Sequence, residues 1–184
     1  MAGRSWSGLS HPFMRPAGRP GISLVLDDRL LVGEYLTPDD IAWVRSEHGI
    51  DAVLSLQEDA DLAYKGVDRR RLEQAYADAS VALHRFPVTD GDTADLADSL
   101  PRIVDTLHGL LEAGLRVYVH CNAGFNRAPT VAIAYLHVHH GLSIGEAHDL
   151  VKSKRACAPY LTSINTAYRR DEPDEPDEPD GTGG

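Results

Sequence analysis

Apolar residues fall along the chain in two alternating patterns, short β-favouring runs and longer stretches with helical spacing. The runs 22–26 and 30–32 flank Asp27-Asp28, which predicts a β-hairpin. Segments 52–56, 81–86 and 117–119 read as further strands. Helices lie between and after them. Thr37 followed by Pro38 is a helix start, a cap and then proline in the first turn, and that helix should stop at Gly49 after His48. Asp68 caps a helix over 69–79. A third spans 101–113, with Ile103, Leu107, Leu110 and Leu111 at helical spacing and Gly114 at its end. A fourth runs from about 128 to His140 and ends at Gly141; Ser143 and Glu146 form a capping box that opens a fifth, to about Ser153. A last helix covers about 161–170. Strands and helices alternating at these lengths predict an α/β fold: three αβα layers, with a central, mostly parallel sheet flanked by helices.

Both ends of the chain break the pattern. Residues 1–20 are rich in Gly, Pro, Ser and Arg without periodicity and read as a flexible arm. Residues 171–184 read as a disordered acidic Asp-Glu-Pro tail. That leaves 21–170 for one folded domain, within the roughly 100–200 residues a single core serves. The tail also dominates the charge. The chain carries a formal net charge of -10, but 171–180 holds seven acids and no base, so the remainder is nearly balanced at 21 acids against 18 bases. No basic stripe marks a nucleic-acid partner, and no apolar run approaches the ~18 residues of a membrane span. The two cysteines, Cys121 and Cys157, are too few for a disulfide framework and point to a reducing, cytoplasmic setting.

Chemistry concentrates in Val117-Tyr-Val-His-Cys-Asn-Ala-Gly-Phe-Asn-Arg-Ala-Pro-Thr130, where a strand leads in and a helix leads out. Backbone N–H groups of a tight loop that opens a helix converge on a tetrahedral anion, and the helix dipole adds positive charge there. A cysteine at the floor of such a nest is favoured as thiolate. Arg127, in the first turn, can reach back and fork two donors onto phosphate oxygens. Cys121 as nucleophile, Arg127 as clamp and Asn122, Ala123, Gly124, Phe125 and Asn126 as the cradle therefore form a phosphate-type anion site. The bland alternative makes Cys121 a small buried hydrophobe, Arg127 a surface charge and Gly124 an ordinary turn.

HCNAGFNR resembles the signature loop of the cysteine-dependent protein tyrosine phosphatase superfamily, in its dual-specificity branch, and the likeness runs from about residue 24 to 170. Within that branch the chain is most similar to glucan phosphatases, the plant starch-phosphate enzymes and laforin-like catalytic domains. The segments LLVGEYLTPDDIAWV, SLQEDADLAYKGVD, FPVTDGD, VYVHCNAGFNRAPTVAIAYL and SKRACAPYLTSI carry the likeness. An arsenate-reductase-like phosphatase would place its cysteine loop near the N-terminus, and a rhodanese-like sulfurtransferase would need no upstream acid. The resemblance implies a two-step reaction through a cysteinyl-phosphate, with no metal or cofactor. An aspartate on an upstream loop protonates the leaving group. Asp90 and Asp92 are both candidates, and the match of VTD-GD ahead of a Leu-Pro pair favours Asp90. His120 is expected to hydrogen-bond backbone beside the loop and not to touch substrate.

Two features depart from the branch. Many dual-specificity enzymes carry Ser or Thr after the arginine; here Ala128 stands there, as in the plant glucan enzymes, with Thr130 two further on. Glucan enzymes also line their channel with aromatics. One ring of a pair is kept at Tyr64, the other is Lys65, and Gly91 stands where a ring would flank the acid; Phe125 offsets part of the loss. The expected substrates are phosphotyrosine or phosphoserine/threonine proteins, or phosphorylated glucan. The rival from another class is a phospho-binding pseudophosphatase without turnover. Weaker features take structural readings: His137, His139 and His140 as surface and helix-end residues with no metal, Cys157 as an ordinary thiol more than a redox partner, Trp43 as core, and Arg69-Arg70-Arg71 as a solvated face.

Overall fold

A computed structural model of the chain describes residues 18–169. The arm expected at 1–20 lies outside the described residues up to position 17, and so does the acidic tail. Of the arm's described end, Arg19 lies across α1 (Pro38–His48), with its guanidinium 5.0 Å from the Trp43 ring and its Nη1 donating to Asp39 O.

Five strands form one sheet: β1 (Ile22–Leu26), β2 (Leu30–Gly33), β3 (Ala52–Ser55), β4 (Ala82–Arg85) and β5 (Val117–His120), in the order β1-β2-β5-β3-β4. β1 is antiparallel to β2 and the other pairings are parallel. The central strands are buried on both faces, which is why their sequences are mostly apolar, with the polar Ser55 and His120 at the carboxyl ends of β3 and β5. Alternation still sorts them. Leu30, Val32, Ala52, Leu54, Val117 and Val119 face one core, and Leu31, Val53 and Tyr118 the other. The first core is closed by α4 (Thr93–Glu112), α5 (Arg127–His140), α6 (Ile144–Lys154) and α7 (Leu161–Ala167), the second by α1, α2 (Asp59–Tyr64) and α3 (Arg69–Asp78). These are the three layers expected.

The caps are where the sequence puts them. Gly49 and Gly141 end α1 and α5 in left-handed conformation, Asp68 accepts from Arg71 N, and Ser143 and Glu146 close their box. Two helices differ. α2 has no counterpart in the sequence reading. α4 begins at Thr93, eight residues before the expected start, and carries Pro101 in its interior. A proline costs a helix about 3 kcal/mol. Leu96, Ala97 and Leu100 are buried ahead of it in line with Ile103, Val104, Leu107 and Leu111, and each buried leucine contributes about 1.5–3 kcal/mol. Packing outweighs the break.

Candidate active site

The site lies beyond the carboxyl ends of the parallel strands, where open α/β sheets place their ligands. β2 delivers Glu34, β3 delivers Gln57, the segment after β4 delivers Asp90, and β5 delivers Cys121; all but the buried Gln57 line one cleft of about 800 Å³. The loop from Cys121 to Asn126 forms its floor. Its carbonyls are held from outside. Asn122 O accepts from Tyr35 N at 3.1 Å and Phe125 O from Ala158 N at 2.9 Å. Arg155 donates from Nη2 to Ala123 O at 2.8 Å and from Nε to Gly124 O at 2.6 Å. Asn126 O takes both the Thr130 N–H and its hydroxyl. In a trans peptide the N–H points opposite to the carbonyl, so carbonyls turned out turn the following N–H groups in. Gly124 makes the bend possible: its φ is +60°, and a Cβ there would stand 2.3 Å from Gly33 O.

Cys121 is buried at the head of this loop as a free thiol. His120 lies beneath it, 1% exposed, with Nδ1 3.2 Å from Cys121 O. Burial pushes the His120 pKa down to about 4, so the ring is neutral; Nδ1 carries the proton, because a carbonyl can only accept. The ring makes no other hydrogen bond.

Arg127 is among the largest fully buried side chains of the described residues. Its Nη1 donates to Val88 O at 2.6 Å, Asp61 Oδ2 at 2.9 Å and Leu56 O at 3.2 Å. Nε and Nη2 make no hydrogen bond, although Asp90 Oδ1 stands 3.2 Å from Nε as an ion-pair partner. One edge of the guanidinium is therefore anchored and the other edge, the Nε–Nη2 fork, is left for a ligand in the cleft. Burial works against its charge, but Cys121, Asp61 and Asp90 outweigh it and raise its pKa.

The two candidate acids part company. Asp90 is half-exposed on the cleft wall, and its Oδ2 accepts from Asn122 Nδ2 at 3.3 Å. Asp92 is the N-cap of α4, with its carboxylate accepting from Ala94 N and Asp95 N, both at 3.0 Å. Asp92 is committed to the helix.

A family model of the dual specificity phosphatase catalytic domain matches residues 35–164. The chain belongs to this family. It is 36% identical over 163 residues to the phosphoglucan phosphatase DSP4, an amyloplastic protein of Castanea sativa, covering 87% of this chain and 40% of the relative. It is 31% identical to the chloroplastic phosphoglucan phosphatase LSF1 of Arabidopsis thaliana, covering 73% of this chain and 23% of that one. The chain thus spans less than half the length of either relative. Among solved structures, Tk-PTP in its active form superposes with a TM-score of 0.67 at 26% identity, over 80% of this chain and 97% of that one.

In this phosphatase domain Tyr64 and Phe125 are exposed by 53% and 43% and line the cleft from α2 and the loop. Gly91 adds open space beside Asp90. Lys65 is buried, with its ammonium 5.1 Å from the Tyr35 ring and 5.4 Å from the Tyr64 ring; burial lowers its pKa against the pull of Asp61, Asp90 and Glu34. The Thr130 hydroxyl donates to Asn126 O and accepts from Tyr160 N, so it braces the loop and does not replace the hydroxyl missing at Ala128.

The sequence reading missed Asp61, Gln57, Glu34, Arg155 and Tyr160. For Asp61 a signal exists: on a helix, positions 61, 64 and 65 share one face, so Asp61 goes with Tyr64 and Lys65. Arg155 acts through carbonyls 31 and 32 residues away, which no local pattern shows. Of the other features, His137 Nδ1 bonds Leu142 O and His139 stacks on His108 at 3.8 Å. Among the described residues no group of three or more His, Cys, Asp or Glu is arranged to hold a metal, and no helix is long and apolar enough to cross a membrane. Burial pushes the Cys157 thiol up.

Proposed function

We propose that the chain is a cysteine-dependent phosphomonoesterase working through a cysteinyl-phosphate. The observation that carries this reading is the Nε–Nη2 fork of buried Arg127, which makes no hydrogen bond and lines the same cleft as Cys121 and Asp90. The Cys121 thiolate attacks phosphorus while the fork and the inward N–H groups hold the equatorial oxygens. The P–O bond to the leaving group breaks as Asp90 donates a proton to that oxygen. Asp90, now a carboxylate, takes a proton from the water that attacks the phosphocysteine, and phosphate leaves with Cys121 restored. His120, neutral and tied to Cys121 O, holds the strand end in place. A chain that only bound phosphate would not need Asp90 beside the fork, so turnover is favoured over the pseudophosphatase alternative. A reducing, cytoplasm-like compartment fits, since Cys121 can attack only while it is reduced.

For substrate, phosphorylated glucan is the first reading and phosphoprotein the second. The two relatives named as phosphoglucan phosphatases match most of the chain, whereas the human dual specificity protein phosphatase 5 matches 39% of it. Exposed Tyr64 and Phe125 offer sugar faces a platform. Phosphate release from phosphorylated amylopectin, phosphotyrosine peptide and para-nitrophenyl phosphate tests both levels. Cys121→Ser should abolish all three activities. Tyr64→Ala should lower the glucan rate more than the aryl rate; equal losses would count against glucan.

A further inference from the structure

Asp61 lies outside the signature loop, in the first turn of α2, yet its carboxylate joins both halves of the site. Oδ2 sits 2.9 Å from Arg127 Nη1, the two side chains being 9% and 1% exposed. Oδ1 accepts from Asn122 Nδ2 at 2.5 Å, while Asn122 Oδ1 accepts from the buried Gln57 Nε2 at 2.8 Å. The Asn122 amide is thereby held one way round, with Nδ2 facing Asp61 and Asp90. We propose that Asp61 is a positioning residue: it locks the Arg127 guanidinium with its Nε–Nη2 edge toward the substrate phosphate and, through Asn122, sets the seat of Asp90. This rests on the phosphatase reading.

The guanidinium is planar, so fixing Nη1 fixes the plane of the fork. Two of the three acceptors on Nη1 are neutral carbonyls, Leu56 O and Val88 O; Asp61 supplies the charge-assisted bond, roughly twice as strong as a neutral one. Without Asp61 the remaining carboxylate on Arg127 is Asp90, and it approaches from the Nε side that the phosphate needs. Loss of Asp61 should therefore weaken anion binding and displace the acid together, affecting both KM and kcat.

The competing account is that Asp61 merely closes the capping box of α2, where it accepts from Glu58 N at 3.2 Å. Asp40 is a matched control. It holds the same third position in α1, accepts from Thr37 N at 2.9 Å and is as buried, but stands outside the cleft. The experiment takes the full chain and its Asp61→Asn, Asp61→Ala and Asp40→Asn variants. It measures melting temperature, tungstate affinity by calorimetry, and kcat and KM for para-nitrophenyl phosphate. Asp61→Asn should bind tungstate and turn over about 10- to 100-fold worse than wild type, while Asp40→Asn keeps wild-type binding at a similar melting temperature. Asp61→Ala should lose more; if it fails to fold, the asparagine variant decides. Tungstate affinity and kcat within about twofold of wild type in Asp61→Asn, or equal losses in Asp40→Asn, would overturn the proposal. Wild type that binds tungstate without turnover would sink the phosphatase reading alone, because tungstate still reports the fork.

Discussion

Asp90 and Asp92 are one residue apart from being neighbours, and what each carboxylate is tied to separates them. Asp92 satisfies two N–H groups of α4, whereas Asp90 faces Arg127 and Asn122 in the cleft. Asp90→Ala should cost about 10²–10⁴ in turnover of a poor leaving group, the usual contribution of a general acid, with little change in melting temperature. Asp92→Ala should do the reverse, losing about 0.5–2 kcal/mol of stability as a lost cap does with turnover nearly intact. Steady-state kinetics on an alkyl phosphate and thermal melts of both variants check this; a larger kinetic loss in Asp92→Ala would reverse the assignment. At this scale Cys121 and Arg127 were legible as neighbours in one cleft because they share one loop with fixed spacing. Asp61 and Arg155 were not, because their partners come from other elements and a lone acid or arginine looks like surface charge until the fold brings it in.

The elements were legible where a cap or a strong period marks them. The strands that flank the site, and the ends of α1 and α5, fall within about two residues of their expected positions, the ordinary uncertainty of helix and strand ends. α2 is only six residues long, too short for a helical period to show, although it carries Asp61 and Tyr64. In α4 the proline signals a start at 101, while the buried stripe runs through it from Leu96 to Leu111. This yields a prediction. Pro101→Ala restores an N–H in mid-helix and relieves the ring, so it should raise stability by about 1–3 kcal/mol without touching the site. A denaturant melt with unchanged slope checks it. A lower midpoint would mean that packing of the pyrrolidine ring outweighs the helix term.

Across the whole molecule, two histidines tie stability to pH. His120 is driven down to about 4 by burial, with Arg127 adding to it against the hydrogen bond to Cys121 O. His139 is also lowered, by burial and then by stacked His108 and by His140, against Asp105 and Glu112. The unfolded chain takes up these protons near pH 6.5. Both groups therefore contribute their full stability above that value and lose it as the pH falls, His120 down to about pH 4, for a total of about 3 kcal/mol from that ring. Melting temperature should drop between about pH 7 and 5, and His139→Gln should flatten part of the slope. A melting temperature that rises on acidification would contradict the sign.

The proposed reaction passes phosphate through Cys121, in the cleft at the strand ends. Asp90→Ala turning over para-nitrophenyl phosphate provides the direct test, because an activated phenol leaves without the acid while the water step is slowed. The reaction is quenched in denaturant during steady state, digested, and the peptides are analysed by mass spectrometry. Phosphate on the peptide that contains Cys121, absent from a Cys121→Ser control, is the result expected. Steady turnover with that peptide unmodified, or with phosphate on any other residue, would contradict the account.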